Sequence, residues 1–215
     1  MRTALLLLMF CLAAPLAAQP TFGLKAGLSL ATVRVEGETL ENTAERSQSR
    51  DARLGLMVGA WGRLALTPQL GVQAEALLVQ KSSRFTDDIS GFRTQTNDTD
   101  LAYLEVPILV RYYAPALSPG LDVGVYGGPA LGILLSDTET VTVDDGEPSE
   151  ITEQYTATDL GVAVGVGVAR GALGVDLRYT LGIADVLDPQ AAFGGAIDVV
   201  GRNGALTFAA TYRLR

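Results

Sequence analysis

Twelve ionisable side chains stand out for their spacing: Lys25, Arg53, Arg63, Glu75, Lys81, Glu105, Arg111, Asp122, Asp159, Asp176, Arg178 and Arg213. Each lies in a stretch where every second residue is apolar. In extended chain the charges therefore share the face opposite the hydrocarbon. Carboxylates packed among lysines and arginines can transfer protons, guide ions along a narrow path, or neutralise one another as an ionic core. The 215-residue chain holds no histidine. Ser-His-Asp hydrolysis, imidazole proton relays and the usual zinc sites each lose a component. No catalytic residue, cofactor or metal is therefore expected, and the chain reads as non-enzymatic. A structural ionic core is the plain reading of the twelve. A gated or narrow ion path is the sharper one.

Other candidate signals are weaker. The segment 136–155 gathers Asp137, Glu139, Asp144, Asp145, Glu147, Glu150 and Glu153. Their spacing fits no defined calcium loop, so the reading is solvated surface with weak cation contact as the alternative. Gly165-Val-Gly167-Val-Ala-Arg170 lacks the third glycine of a dinucleotide fingerprint, and no helical pattern follows it. The net charge of −8 argues against nucleic acid, which needs a basic face.

The elements that must position the charges follow a secretory signal over residues 1–18. Arg2, the apolar run Ala4–Leu12 and Ala13-Ala14-Pro15-Leu16-Ala17-Ala18 compose it, with cleavage expected near Ala18. Cys11, the only cysteine, falls inside that segment, so no disulfide can form within the chain. Phe10 is too large to precede a lipoprotein processing site. Residues 19–215 remain as one domain. Hydrophobic residues make up 48% of the chain, yet no later apolar run approaches the ~20 residues of a spanning helix. The apolar residues alternate instead, and 24 glycines break any helical pattern.

Eight strands are predicted, at 22–35, 53–66, 70–84, 100–113, 121–135, 156–170, 173–185 and 203–214. Tyr103–Tyr113 shows the pattern best: Leu104, Val106, Ile108, Val110 and Tyr112 alternate with a face carrying Glu105 and Arg111. In the sixth predicted strand the face opposite the valines is small, with Gly161, Ala163, Gly165, Gly167 and Ala169, leaving room for long Arg and Tyr neighbours. Connections alternate between long, at 36–52, 85–99, 136–155 and 186–202, and short, at 67–69, 114–120 and 171–172. Within 136–155, Thr140–Val143 alternates and Asp144-Asp145-Gly146 signals a turn, so a hairpin is expected there.

Energetics decide which face is outside. An arginine facing lipid at mid-depth costs about 2–4 kcal/mol, and several would exceed the ~5–15 kcal/mol that stabilises a domain. The hydrocarbon faces should meet lipid and the charges should fill the lumen. The expected fold is an all-β, eight-stranded antiparallel up-and-down transmembrane β-barrel with short periplasmic turns and long extracellular loops. A lumen of eight strands is only wide enough for side chains.

Five motifs add a resemblance. They are Phe22–Leu30 (FGLKAGLSL), Gln73–Lys81 (QAEALLVQK), Tyr103–Tyr113 (YLEVPILVRYY), Gly127–Gly132 (GGPALG) and Asp176–Ile183 (DLRYTLGI). In this order, across essentially the whole mature chain, they resemble the PorT-like outer-membrane β-barrel family of Bacteroidetes-type bacteria. The resemblance implies an outer-membrane location and makes Pro107 and Pro129 regular features of the wall. Some relatives are linked to protein export. Such barrels often end on an aromatic residue read by the insertion machinery; here the ending Tyr212-Arg-Leu-Arg215 leaves that signal to Leu214 or Tyr212.

The functional expectation is an integral outer-membrane barrel with a structural, surface-interaction or export-accessory role. Its partners would be outer-membrane lipid and lipopolysaccharide, the barrel-insertion machinery, and a protein at the extracellular loops or periplasmic turns. The alternatives are a soluble periplasmic or secreted lipocalin-like barrel, which needs an apolar lumen, and a narrow pore.

Overall fold

The computed structural model describes residues 19–37, 46–89, 93–114, 120–144, 146–151, 156–183 and 199–214. The expected signal segment 1–18, Asp145 and most of the predicted loop 186–202 lie outside the described residues. Every described element is a strand: β1 Thr21–Gly37, β2 Arg46–Ala65, β3 Leu70–Ile89, β4 Arg93–Tyr113, β5 Leu121–Val143, β6 Ser149–Ile151, β7 Thr158–Arg170, β8 Leu173–Gly182 and β9 Val199–Arg213.

Neighbours pair antiparallel around a closed ring. β1 joins β2 on one side and β9 on the other, with Leu24 opposite both Ala60 and Tyr212. β5 pairs directly with β7, which leaves eight strands in the wall. The ninth, β6, lies against the far end of β5, with Ser149 opposite Val141. It forms the hairpin anticipated at 136–155. Asp144 turns the chain there at φ 49°, in the left-handed region that aspartate tolerates. Closure removes the open edge that hydrocarbon cannot solvate.

The alternation sorts hydrocarbon outward. Leu54, Leu56, Val58, Val110, Val125, Leu177 and Phe208 are all exposed on the outer surface. Phe22, Tyr112 and Tyr212 close this band at the end carrying the short turns, as aromatic side chains do at a membrane interface. A soluble barrel around an apolar ligand would show the reverse arrangement. At the same end, Leu214 N donates to Phe22 O at 2.8 Å, so the two ends of the ring's chain lie side by side. The Thr67-Pro68-Gln69 turn closes with Thr67 Oγ1 accepting from the Leu70 amide at 3.0 Å. Gly171, at φ 63°, makes the reversal between β7 and β8.

The wall is uneven in height. β2 to β5 run 20, 20, 21 and 23 residues, while β7 and β8 run 13 and 10. Crossing a bilayer takes about 9–11 residues, so β2–β5 continue well past it and β8 barely spans. The described residues of the segments 36–52 and 85–99, expected as loops, are therefore strand: β2 starts at Arg46, and Ile89 still faces Arg93 across the β3–β4 hairpin. Their polarity misled the reading, because a sheet with water on both faces needs no apolar alternation. Register shifts mark the change of level. An extra residue enters β2 between Arg53 and Met57, and Leu135 is skipped in the β4–β5 pairing. Gln80, Ala102 and Ser136 align at that height, where the outer face turns from apolar to polar.

Candidate functional site: the ionic lumen

Eight of the twelve predicted charges, Lys25, Glu75, Lys81, Glu105, Arg111, Asp159, Asp176 and Arg178, are buried inside the ring. They form two clusters. In the one nearer the short turns, both oxygens of Glu75 accept from Arg178 Nη2, at 2.7 and 2.8 Å. Lys25 Nζ approaches the same carboxylate at 3.3 Å and donates to Asp176 Oδ1 at 2.8 Å. Tyr126 donates its hydroxyl to that Asp176 oxygen at 2.6 Å and accepts from Arg178 Nε at 3.3 Å. Gln73 donates to Glu75 through Nε2, and its Oε1 accepts from both Arg63 Nε at 2.9 Å and Arg111 Nη1 at 3.3 Å.

The second cluster is simpler. Lys81 Nζ stands 2.8 Å from Glu105 Oε1 and 3.3 Å from Asp159 Oδ2, and 4.6 Å from the Tyr103 ring centre. Along β3 the inward residues run Gln73, Glu75, Leu77, Val79, Lys81, so two buried apolar side chains lie between the clusters. Leu77 and Val79 pack with Met57 and Ala209, while Leu109, Tyr126, Ala130 and Ala163 form a second apolar group.

Small residues of β7 make space for this filling. A Cβ at Gly165 would overlap the Tyr126 ring, and one at Gly167 would overlap the Arg111 guanidinium. This is the role anticipated for the glycine face of that strand.

Of the other four charges, Arg63 meets the first cluster through Gln73, and Arg53, Asp122 and Arg213 lie outside both clusters. Arg63 is half-buried, stacked 4.7 Å from the Trp61 ring centre and 5.3 Å from that of Tyr113. Arg213 is exposed and donates to Gly171 O at 2.6 Å, and Asp122 is exposed at the same end. Arg53 is exposed at the opposite end, 3.3 Å from Asp98. Arg53, Asp122 and Arg213 are thus corrections to the expected core. Asp122 and Arg213 share its face where strand ends open to water, whereas the bulge after Arg53 sets it opposite Ser82 and on the outer face.

Sequence reasoning missed the ion pairs of the tall wall. Arg84 grips Asp98 through Nε at 2.6 Å and Nη2 at 2.8 Å, and Asn97 donates to Glu139 Oε1 at 2.7 Å. The Arg84 hydrogen bond holds the Asp98 carboxyl below the usual range. Burial raises the Glu139 carboxyl, with the Asn97 bond opposing it. The β3–β4 register, with Arg84 opposite Asp98, is the signal that would have found the first pair.

A family model described as outer membrane protein beta-barrel domain matches residues 17–188. The chain belongs to this outer membrane β-barrel family. Its place is the outer membrane, which it crosses as a β-barrel among lipid and lipopolysaccharide. None of the curated proteins matches it in sequence. Solved structures share the fold at low identity. The outer membrane protease OmpT of Escherichia coli is 9% identical, with a TM-score of 0.50 over 93% of this chain and 99% of that one. OprG of Pseudomonas aeruginosa is 10% identical, with a TM-score of 0.47 over 92% and 97%. Ail of Yersinia pestis, solved with the heparin analogue sucrose octasulfate, is 13% identical, with a TM-score of 0.45 over 91% and 99%. In this outer membrane barrel, then, hydrocarbon faces lipid and the lumen is built of charge.

Proposed function

We propose that this barrel is a closed, non-conducting and non-enzymatic membrane anchor that presents its β2–β5 extension for contact at the cell surface. One observation carries the reading: Glu75, clamped by Lys25 and Arg178, and the apolar pair Leu77 and Val79 stand one above the other inside an eight-stranded ring. A lumen of that size has room for side chains and little else. A paired ionic layer stacked on an apolar one gives a permeating ion neither water nor a free counter-charge.

The finer PorT-like reading finds support in the same place. The motifs behind it supply Lys25, Gln73, Glu75, Lys81, Glu105, Arg111, Asp176 and Arg178, so they act as lumen-packing determinants. An export-accessory role rests on that likeness alone and would place the partner at the periplasmic turns. The insertion machinery would read Tyr212 and Leu214, which both face outward beside the short turns.

Two measurements test the proposal. Purified protein in planar bilayers should give no unitary conductance; stable current steps would refute closure. In intact cells, a photo-crosslinker at Thr142 should capture a protein, and one at Leu177 in the lipid-facing band should not. Shortening 86–97 to a tight turn should abolish the Thr142 adduct. Adducts from Gln69 instead would favour the export-accessory role.

A further inference from the structure

Below the Glu75 cluster, at the end of the short turns, the lumen contains a cavity of about 30 Å³. Four side-chain atoms of its lining find no hydrogen-bond partner within the protein: Trp61 Nε1, Arg111 Nε, Tyr113 Oη and Asp176 Oδ2. Trp61, Arg111 and Asp176 are 6%, 7% and 3% exposed, so bulk water does not serve them. An unpaired buried donor costs about 1–3 kcal/mol, and three such donors around one cavity call for an acceptor inside it.

Charge identifies the acceptor. Arg63 and Arg111 share a single neutral oxygen, Gln73 Oε1. Arg111 reaches its nearest carboxylate, Asp176, only at 3.8 Å. Arg213 spends a donor on the Gly171 carbonyl. Arg63 lies in electrostatic range of Arg111 and Arg213, both of its own sign, and of Asp122 as the opposing charge. Tyr113 sits between two guanidiniums, 5.3 Å from Arg63 and 5.7 Å from Arg111. The three guanidiniums are short of negative charge. A water needs about 10–15 Å³ of such space, so the cavity holds two light centres and excludes an anion of sulfate size.

We propose that this cavity is a binding site for a small monovalent inorganic anion, of halide size, together with one water. The anion accepts from Trp61, Arg111 and Tyr113 and faces the Arg63 guanidinium. The water donates to Asp176 Oδ2 and screens that carboxylate from the anion. Every orphan atom is then satisfied.

Trp61 is the chain's only tryptophan, so its emission reports the site directly. Full-length protein refolded in detergent is titrated with sodium bromide at constant ionic strength, balanced by sodium gluconate. The expected result is a saturable change in Trp61 emission that chloride suppresses by competition and gluconate does not produce. Tyr113→Phe removes one donor at the half-buried edge of the site, and bromide should bind it about tenfold more weakly. Arg111→Gln, checked for folding by heat-modified gel mobility, should abolish saturation. Linear, non-saturating quenching would show that water alone fills the cavity and overturn the proposal. So would an unchanged affinity in Tyr113→Phe, or an equal effect of gluconate.

Discussion

The two lumen clusters are inversions of one another. Near the short turns a carboxylate, Glu75, is held between two cations, Lys25 and Arg178. Toward the extension a cation, Lys81, is held between two carboxylates, Glu105 and Asp159. The first cluster grades into the arginines Arg63, Arg111 and Arg213, and the second faces the acidic hairpin. The barrel interior is therefore positive at one end and negative at the other, with Leu77 and Val79 between. The arrangement teaches that a lumen this narrow cannot be neutralised as one pool. Each buried charge answers only to the few groups it touches, so each cluster should fail in its own way.

The largest effect is expected at the carboxylate centre. Glu75→Gln keeps the shape but leaves Lys25 and Arg178 facing a neutral amide. Removing one partner of a buried pair costs about 3–5 kcal/mol, and a guanidinium cannot shed its charge. Urea unfolding in lipid vesicles should show that loss. Lys81→Met breaks the inverted cluster and should cost less, about 2–3 kcal/mol, because a carboxyl group left unpaired can be neutralised by a proton. Equal losses, or a larger one for Lys81→Met, would break the comparison.

Packing separates the clusters again. A Cβ at Gly167 would overlap the Arg111 guanidinium and come within 3.2 Å of Asp176 Oδ2, so Gly167→Ala should destabilise by about 1–3 kcal/mol. Gly132, beside the Lys81 cluster, would bring its Cβ to 3.2 Å from Tyr103 and 3.3 Å from Asp159 side-chain carbons. Gly132→Ala should be near neutral in the same assay. A slight side-chain shift relieves that contact, and the entropy of a strand glycine, about 0.5–1 kcal/mol, offsets the rest.

The inward placement of Glu75, Glu105 and Arg178 was legible because two-residue alternation survives wherever one face meets lipid and the other does not. The same rule made Gly165 and Gly167 readable as space for larger neighbours. It failed where that asymmetry ends. Beyond Ser83 neither face of β3 is buried, so the residues from Phe85 on carry no periodic mark and the strand read as loop. The bulges at Arg53–Met57 and Leu135 were invisible for a related reason: a single inserted residue shifts parity without changing composition. The apolar layer of Leu77 and Val79 was passed over because charge drew attention to the inward face. The Arg84–Asp98 pair needs a register that only the folded hairpin defines. The cavity below Glu75 depends on which polar atoms lack partners, and no residue pattern encodes that.

Among the ion pairs the smallest effect is expected at the Arg84–Asp98–Arg53 group, a third case with the same chemistry placed in water. Asp98→Asn should cost no more than about 0.2–1 kcal/mol, several-fold below Glu75→Gln, and 0.5 M salt should shrink the loss further. Its pH dependence has a definite sign. The Arg84 bond sets the folded Asp98 carboxyl below its unfolded value of about 3.9. Its contribution is therefore complete above that value and disappears as pH falls through the lower folded one. Hydrogen exchange of the β3–β4 amides, corrected for intrinsic rates, should separate wild type from Asp98→Asn at pH 6, and the gap should close only as pH falls below about 3.9 and through the lower folded value. A gap that persists in acid, or one matching Glu75→Gln in size, would mean that solvent screens the extension no better than the lumen.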